Sequence, residues 1–192
     1  MAAARQGRRS LVYAYERELD HTGHVEGCGS RQWLTHLSRI DAMVERLRDE
    51  LPDDVVLIVT GDHGMVDVPR QNQILAEDEP ELMAGVDALA GEGRFRQLYV
   101  DRDHPSAVAA RWADRLGDLA WVRTRDEAIA ECWYGPTVTD AAAGRLGDVL
   151  LAARRDVAFH DPNDTGPYVL VGRHGSLTED EMLVPLLAGV AG

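Results

Sequence analysis

The chain has 192 residues, 45% hydrophobic and 28% charged, a balance that excludes a disordered chain and suffices for one domain with its own core. Acidic residues outnumber basic ones 33 to 20, a formal net charge of −13; this argues against a nucleic-acid polymer as partner, which would need clustered cations. Two cysteines, Cys28 and Cys132, are too few for a disulfide framework or a thiolate zinc site, and with no stretch apolar enough for a leader or a membrane span, a cytoplasmic protein without a membrane partner is expected.

Residues 11–15 are aromatic and apolar and predict a buried strand, reached so soon that the chain is expected to start within a larger fold. Residues 16–30 are polar, carry three glycines and predict a loop. Ser30 is the expected N-cap of a helix in which Trp33, Leu34, Leu37, Ile40, Val44, Leu47 and Leu51 recur at helical spacing, stopped by Pro52. Residues 55–59 form an unbroken apolar run, as in a parallel strand covered on both faces. Strand, helix and strand then predict a right-handed βαβ unit with parallel strands.

Residues 70–95 predict an acidic surface excursion, 97–101 a strand, 106–116 an Ala-rich helix, 121–123 a strand and 125–133 a short helix broken by Gly135 and Pro136. The stretch 70–147 thus reads as an inserted α+β region within one domain, 1–192. Residues 148–153 look like a strand and 160–167 like a polar loop. Thr178 with Glu181 matches a capping box, and 182–190 is apolar enough to return to the core.

Two strings carry the chemistry: Asp20-His21-Thr22-Gly23-His24 and Gly61-Asp62-His63-Gly64. Each is expected in a glycine-marked loop at the C-terminal end of a strand, the edge where open α/β sheets bind ligands. Carboxylate and neutral imidazole together suit zinc or manganese better than calcium. His174, followed by Gly175, can close a coordination shell from far downstream. His21 is expected to stay outside it, and His160 beside Asp161 is a weaker candidate for a supporting role.

The D-x-x-G-H string, the D-H-G string and the later His-Gly resemble the alkaline phosphatase superfamily, in particular its nucleotide pyrophosphatase/phosphodiesterase branch. The tail Glu181-Met182-Leu183-Val184-Pro185-Leu186 is similar to the same family, and the likeness is strongest over 11–66 and 168–187. It implies an α/β fold, a partial alkaline-phosphatase-like three-layer sandwich with a mainly parallel sheet. It implies two zinc ions: one held by Asp20, His24 and His174, the other held in part by Asp62 and His63. The substrate would be a small phosphodiester or nucleotide, cleaved by double displacement. In that family a further Asp ligand and a Thr or Ser nucleophile precede the first motif, where this chain has 19 residues with Ser10 in the wrong context. The resemblance therefore implies a C-terminal portion that lacks its nucleophile, and a homo-oligomer or a complementary N-terminal segment as partner. The alternatives are a zinc-binding remnant without turnover and another hydrolase of the superfamily.

Overall fold

The computed structural model describes residues 9–100, 104–161 and 170–190. Residue 101 of the strand expected at 97–101 and most of the loop expected at 160–167 lie outside these. The elements run α1 (Glu18–Glu26), α2 (Arg31–Glu50), β1 (Val56–Thr60), β2 (Val66–Asp67), β3 (Gln73–Leu75), α3 (Pro80–Met83), β4 (Val86–Glu92), β5 (Phe95–Val100), α4 (Pro105–Leu116), β6 (Ala120–Thr124), α5 (Arg125–Ala130), α6 (Asp140–Ala143), β7 (Val149–Ala153), β8 (Ala158–His160), β9 (Gly172–Arg173), α7 (Glu179–Met182) and β10 (Leu186–Val190).

The packed centre is a four-stranded antiparallel sheet in the order β4-β5-β7-β6. Its central strand β7 is buried along its whole length, as an unbroken Val-Leu-Leu-Ala-Ala run requires. β5 alternates instead: Arg96, Leu98 and Val100 face inward, while Phe95, Gln97 and Tyr99 are half-buried. α4 lies on the inner face through Val108, Trp112 and Leu116, and Phe159 of β8 closes the same cluster. The Trp112 indole donates to the Leu82 carbonyl at 3.0 Å, so the polar tip of this buried ring is satisfied. Residues 70–95 are therefore no surface excursion. They supply β3, α3 and β4, with Leu82 in the core, because weak periodicity hides short elements buried on one side only.

The N-terminal part departs from expectation more strongly. Residues 11–15 form no strand; they run exposed, with Leu11 97% accessible. β-propensity needs a ladder partner, and among the described residues no strand pairs with them. The expected βαβ unit is accordingly not formed. β1 pairs antiparallel with β10, and its residues alternate between exposed and half-buried rather than being covered on both faces. Among the described pairings only β3–β8 is parallel.

α2 begins as expected, with the Ser30 hydroxyl accepting from the Trp33 amide at 3.2 Å. None of its residues is fully buried, however. Nor does 182–190 return to the core: Leu183 just after α7 and Leu186 and Leu187 on β10 are exposed. Amphipathic periodicity reports that a face exists, not that something covers it.

Candidate metal centre

Asp20 and His24 sit on α1, not in a loop. The carboxylate of Glu16 accepts from the amides of Glu18 at 3.0 Å and Leu19 at 3.4 Å, satisfying two of the donors a helix start leaves free. Glu18 and Asp20 in the first turn favour the helix dipole. The spacing of four residues then stacks Asp20 and His24 on one helix face. Gly23 serves close packing rather than a turn: a Cβ there would lie 2.6 Å from the Met65 Sδ.

A small ladder brings the other donors alongside. β2 pairs with β9 (Val66 opposite Arg173, Asp67 opposite Gly172), and the Val68 amide donates to the Val171 carbonyl at 2.9 Å. The Val171 amide in turn donates to the His24 carbonyl at 2.8 Å. α1, the loop before β2 and the segment after β9 are thereby drawn together. The approach is close enough that a Cβ on Gly172 would collide with the Gly23 carbonyl.

The result is one cluster. Asp20 Oδ1 lies 3.4 Å from His24 Nε2, 3.9 Å from His63 Nε2 and 4.0 Å from His174 Nε2. Asp20, His24 and His174 offer ligand atoms all within 4.8 Å of one another. The His63 and His174 rings stack at 3.5 Å, and His24 tilts against His174 at 5.2 Å. Asp62 stands at the rim, its carboxylate 62% exposed and 3.8 Å from His63 Nε2. His21 is exposed. His160 and Asp161 are buried away from the cluster, where His160 and Arg173 flank Gly93.

The donors are in the form a cation needs. His24 Nδ1 lies 2.8 Å from the Gly172 carbonyl and His63 Nδ1 lies 3.0 Å from the Gly64 carbonyl. A carbonyl only accepts, so these nitrogens carry a proton, and in the neutral imidazole Nε2 is the atom left with a lone pair. Burial, then the neighbouring His63 and His24, hold His174 below the usual histidine range, which keeps it neutral. Asp20 Oδ1 is sealed from solvent yet accepts no hydrogen bond. Such an atom is costly unless a cation fills the gap. Two donors on one tetrahedral zinc at about 2.0–2.1 Å lie about 3.3–3.4 Å apart, the spacing of Asp20 Oδ1 and His24 Nε2. The residues therefore fit a divalent ion.

Three features of the site are not readable from the strings. The Asp62 carboxylate, ahead of burial and Asp20, raises the Tyr15 phenol above its ordinary range, so residue 15 belongs to the rim rather than to a core strand. Glu16 caps the ligand-bearing helix. Glu181, expected in a capping box, lends Thr178 no such box: the Thr178 hydroxyl caps no amide, and Glu181 is buried against Arg94. A Thr-x-x-Glu pattern looks the same whether the acid turns back to the helix or inward.

Comparison with known proteins identifies the family. The family pattern "Type I phosphodiesterase / nucleotide pyrophosphatase" matches residues 1–177. Mouse ectonucleotide pyrophosphatase/phosphodiesterase family member 7 is 38% identical over 73 residues, 35% of this chain and 17% of that protein. The catalytic subunit of human GPI ethanolamine phosphate transferase 3 is 34% identical over 59 residues, 31% of this chain and 5% of that protein. Human ectonucleotide pyrophosphatase/phosphodiesterase 5 superposes with a TM-score of 0.66 at 19% identity, covering 89% of this chain and 44% of the other. Phosphonoacetate hydrolase from Sinorhizobium meliloti 1021 superposes with a TM-score of 0.61 at 20% identity, covering 90% and 44%. The chain thus spans less than half the length of each of these relatives, and it has their α/β fold in part.

The relatives also correct the expected address. Two of them are ectonucleotide pyrophosphatase/phosphodiesterases and one is a GPI ethanolamine phosphate transferase, which overturns the cytoplasmic expectation. That no described helix is long and apolar enough to cross a membrane holds for those helices and assigns no compartment. A family pattern running through residues 1–177, more than half of the chain, together with the shared fold, establishes that this chain belongs to the type I phosphodiesterase/nucleotide pyrophosphatase family of the alkaline phosphatase superfamily.

Proposed function

We propose that the chain carries the metal-binding part of a hydrolase that cleaves phosphodiester or pyrophosphate bonds in small nucleotides or related diesters. The observation that carries this reading is the sealed, hydrogen-bond-free Asp20 Oδ1 ringed by the Nε2 atoms of His24, His63 and His174. Asp20, His24 and His174 hold one divalent ion, and Asp62 with His63 contributes to a second. Imidazole with carboxylate favours zinc. When bound, such ions supply Lewis acidity to a phosphoryl group.

The chain's own residues prepare the site. The Gly172 and Gly64 carbonyls fix the tautomers and ring orientations of His24 and His63. The His63–His174 stack holds two imidazoles in one orientation, so little reordering is needed on binding. Asp62, exposed at the rim, reaches solvent where a substrate enters. A nucleotide as substrate class gains support from a structural relative, murine ectonucleotide pyrophosphatase/phosphodiesterase 5, known in complex with AMP.

The test measures zinc content and hydrolysis of bis-p-nitrophenyl phosphate on the same preparation. Zinc is expected to bind the wild-type chain, and Asp20→Asn is expected to weaken that binding by at least about 100-fold. Zinc without turnover restricts the function of this polypeptide to metal binding. A wild-type chain that takes up no zinc overturns the reading.

A further inference from the structure

We infer that Glu181 is a positioning residue for the metal centre: it ties the His63 loop and the His174 segment into one frame and anchors both to the four-stranded sheet. The inference rests on the metal-binding reading above and adds what keeps the imidazoles in place.

Glu181 is 2% exposed and lies outside the ligand cluster. Its backbone carbonyl accepts from the Gly64 amide at 2.8 Å, one residue from His63. The approach there is so close that a Cβ on Gly64 would collide with the Asp180 carbonyl. Its carboxylate Oε1 accepts from the Ser176 amide at 3.1 Å, two residues from His174. Oε2 accepts from the Thr178 hydroxyl at 2.5 Å. One residue thus holds both histidine-bearing segments, by its backbone on one side and its side chain on the other.

The frame is anchored behind. Arg94, in the turn between β4 and β5, is 1% exposed and grips the same carboxylate with Nε at 3.0 Å and Nη2 at 2.6 Å. Its Nη1 donates to the carbonyls of Arg155 at 2.5 Å and Val157 at 2.7 Å. The Ser176 hydroxyl donates to the Ala153 carbonyl at the end of β7 at 2.5 Å. A carboxylate with both oxygens doubly bonded to fixed partners has no freedom to turn, which is what a group orienting metal ligands at second hand requires.

The test reads zinc affinity by competition with a chromophoric chelator, using zinc alone as the probe, with thermal melting in parallel. The double variant Arg94→Met/Glu181→Met removes the ion pair without leaving a lone buried charge, so the fold is expected to persist. Its zinc Kd is expected to rise about 10–100-fold while a cooperative melt persists. Thr178→Val leaves the ion pair intact and removes one hydrogen bond to Oε2; its zinc Kd is expected to rise about threefold at an unchanged melting temperature. A purely structural role would move the melt and leave zinc affinity alone. Folded variants that bind zinc as tightly as wild type overturn the inference, and if the double variant does not fold, Thr178→Val decides it. Loss of zinc binding in the wild type would instead overturn the metal reading itself.

Discussion

The four-stranded sheet and the ligand-bearing region use similar apolar sequence to opposite ends. In the sheet, Val149 to Ala153 are all 0% exposed, and the inner face is sealed by α4. In the α1–α2–β1–β10 region, Leu34, Ile58 and Leu187 are 50%, 62% and 60% exposed. The site therefore does not owe its shape to a core of its own. Short ladders, glycine-enabled close approaches and the Arg94–Glu181 pair connect it to the sheet. Cohesion of the fold and geometry of the site rest on different contacts in this chain.

The largest expected effect tests the sheet. Leu151→Ala removes a wholly buried side chain and should cost about 2–5 kcal/mol in urea unfolding. A loss below about 1 kcal/mol would break the contrast, because the sheet would then not be the cohesive region. Zinc should come next. At a free concentration 100 times its Kd it should stabilise the chain by about 2.7 kcal/mol, read as a rise in melting temperature that Asp20→Asn abolishes. No rise in the wild type would separate the site from folding altogether.

Gly64→Ala probes the seam between the regions. The new Cβ meets the Asp180 carbonyl, so a cost of about 1–3 kcal/mol is expected, and an unchanged melt would show the seam to be slack. Ile58→Ser, on an exposed strand position, should change stability by no more than about 0.5 kcal/mol. A larger loss would mean that this face is covered in solution.

The last prediction concerns reactivity. Burial, and then Asp67, push the Cys28 thiol up to about 11. A raised pKa leaves less thiolate at a given pH, about one in a thousand at pH 8, so alkylation by iodoacetamide should be slow there and should rise about tenfold per pH unit below 11. Ready labelling of Cys28 at pH 8 would show the segment between α1 and α2 to be more open than described.

Some of this could be read directly. The extents of α2, α4, β6 and β7 follow from periodicity and stop signals, since each depends on a local pattern repeated over several residues. The candidate ligand types were legible as well, because carboxylate and imidazole beside glycine is a rare local composition with a narrow chemical use. The residues that organise the ligands were not. Glu181 carries the same local pattern whether it caps a helix or meets Arg94, 87 positions away in the chain. Residues 11–15 have strand propensity, yet a strand is a property of a pair. Gly23 looks like a turn glycine until Met65 is seen against it.

Sequence alone determined which side chains this protein has available for metal chemistry and where its long amphipathic and apolar elements lie, because those features are set by neighbours within a few residues. Tertiary structure alone decided that the Asp20–His24 helix face meets His63 and His174, that His63 and His174 stack, and that Glu181 turns inward. Each of these depends on contacts between segments far apart in the chain, and local composition carries no record of them.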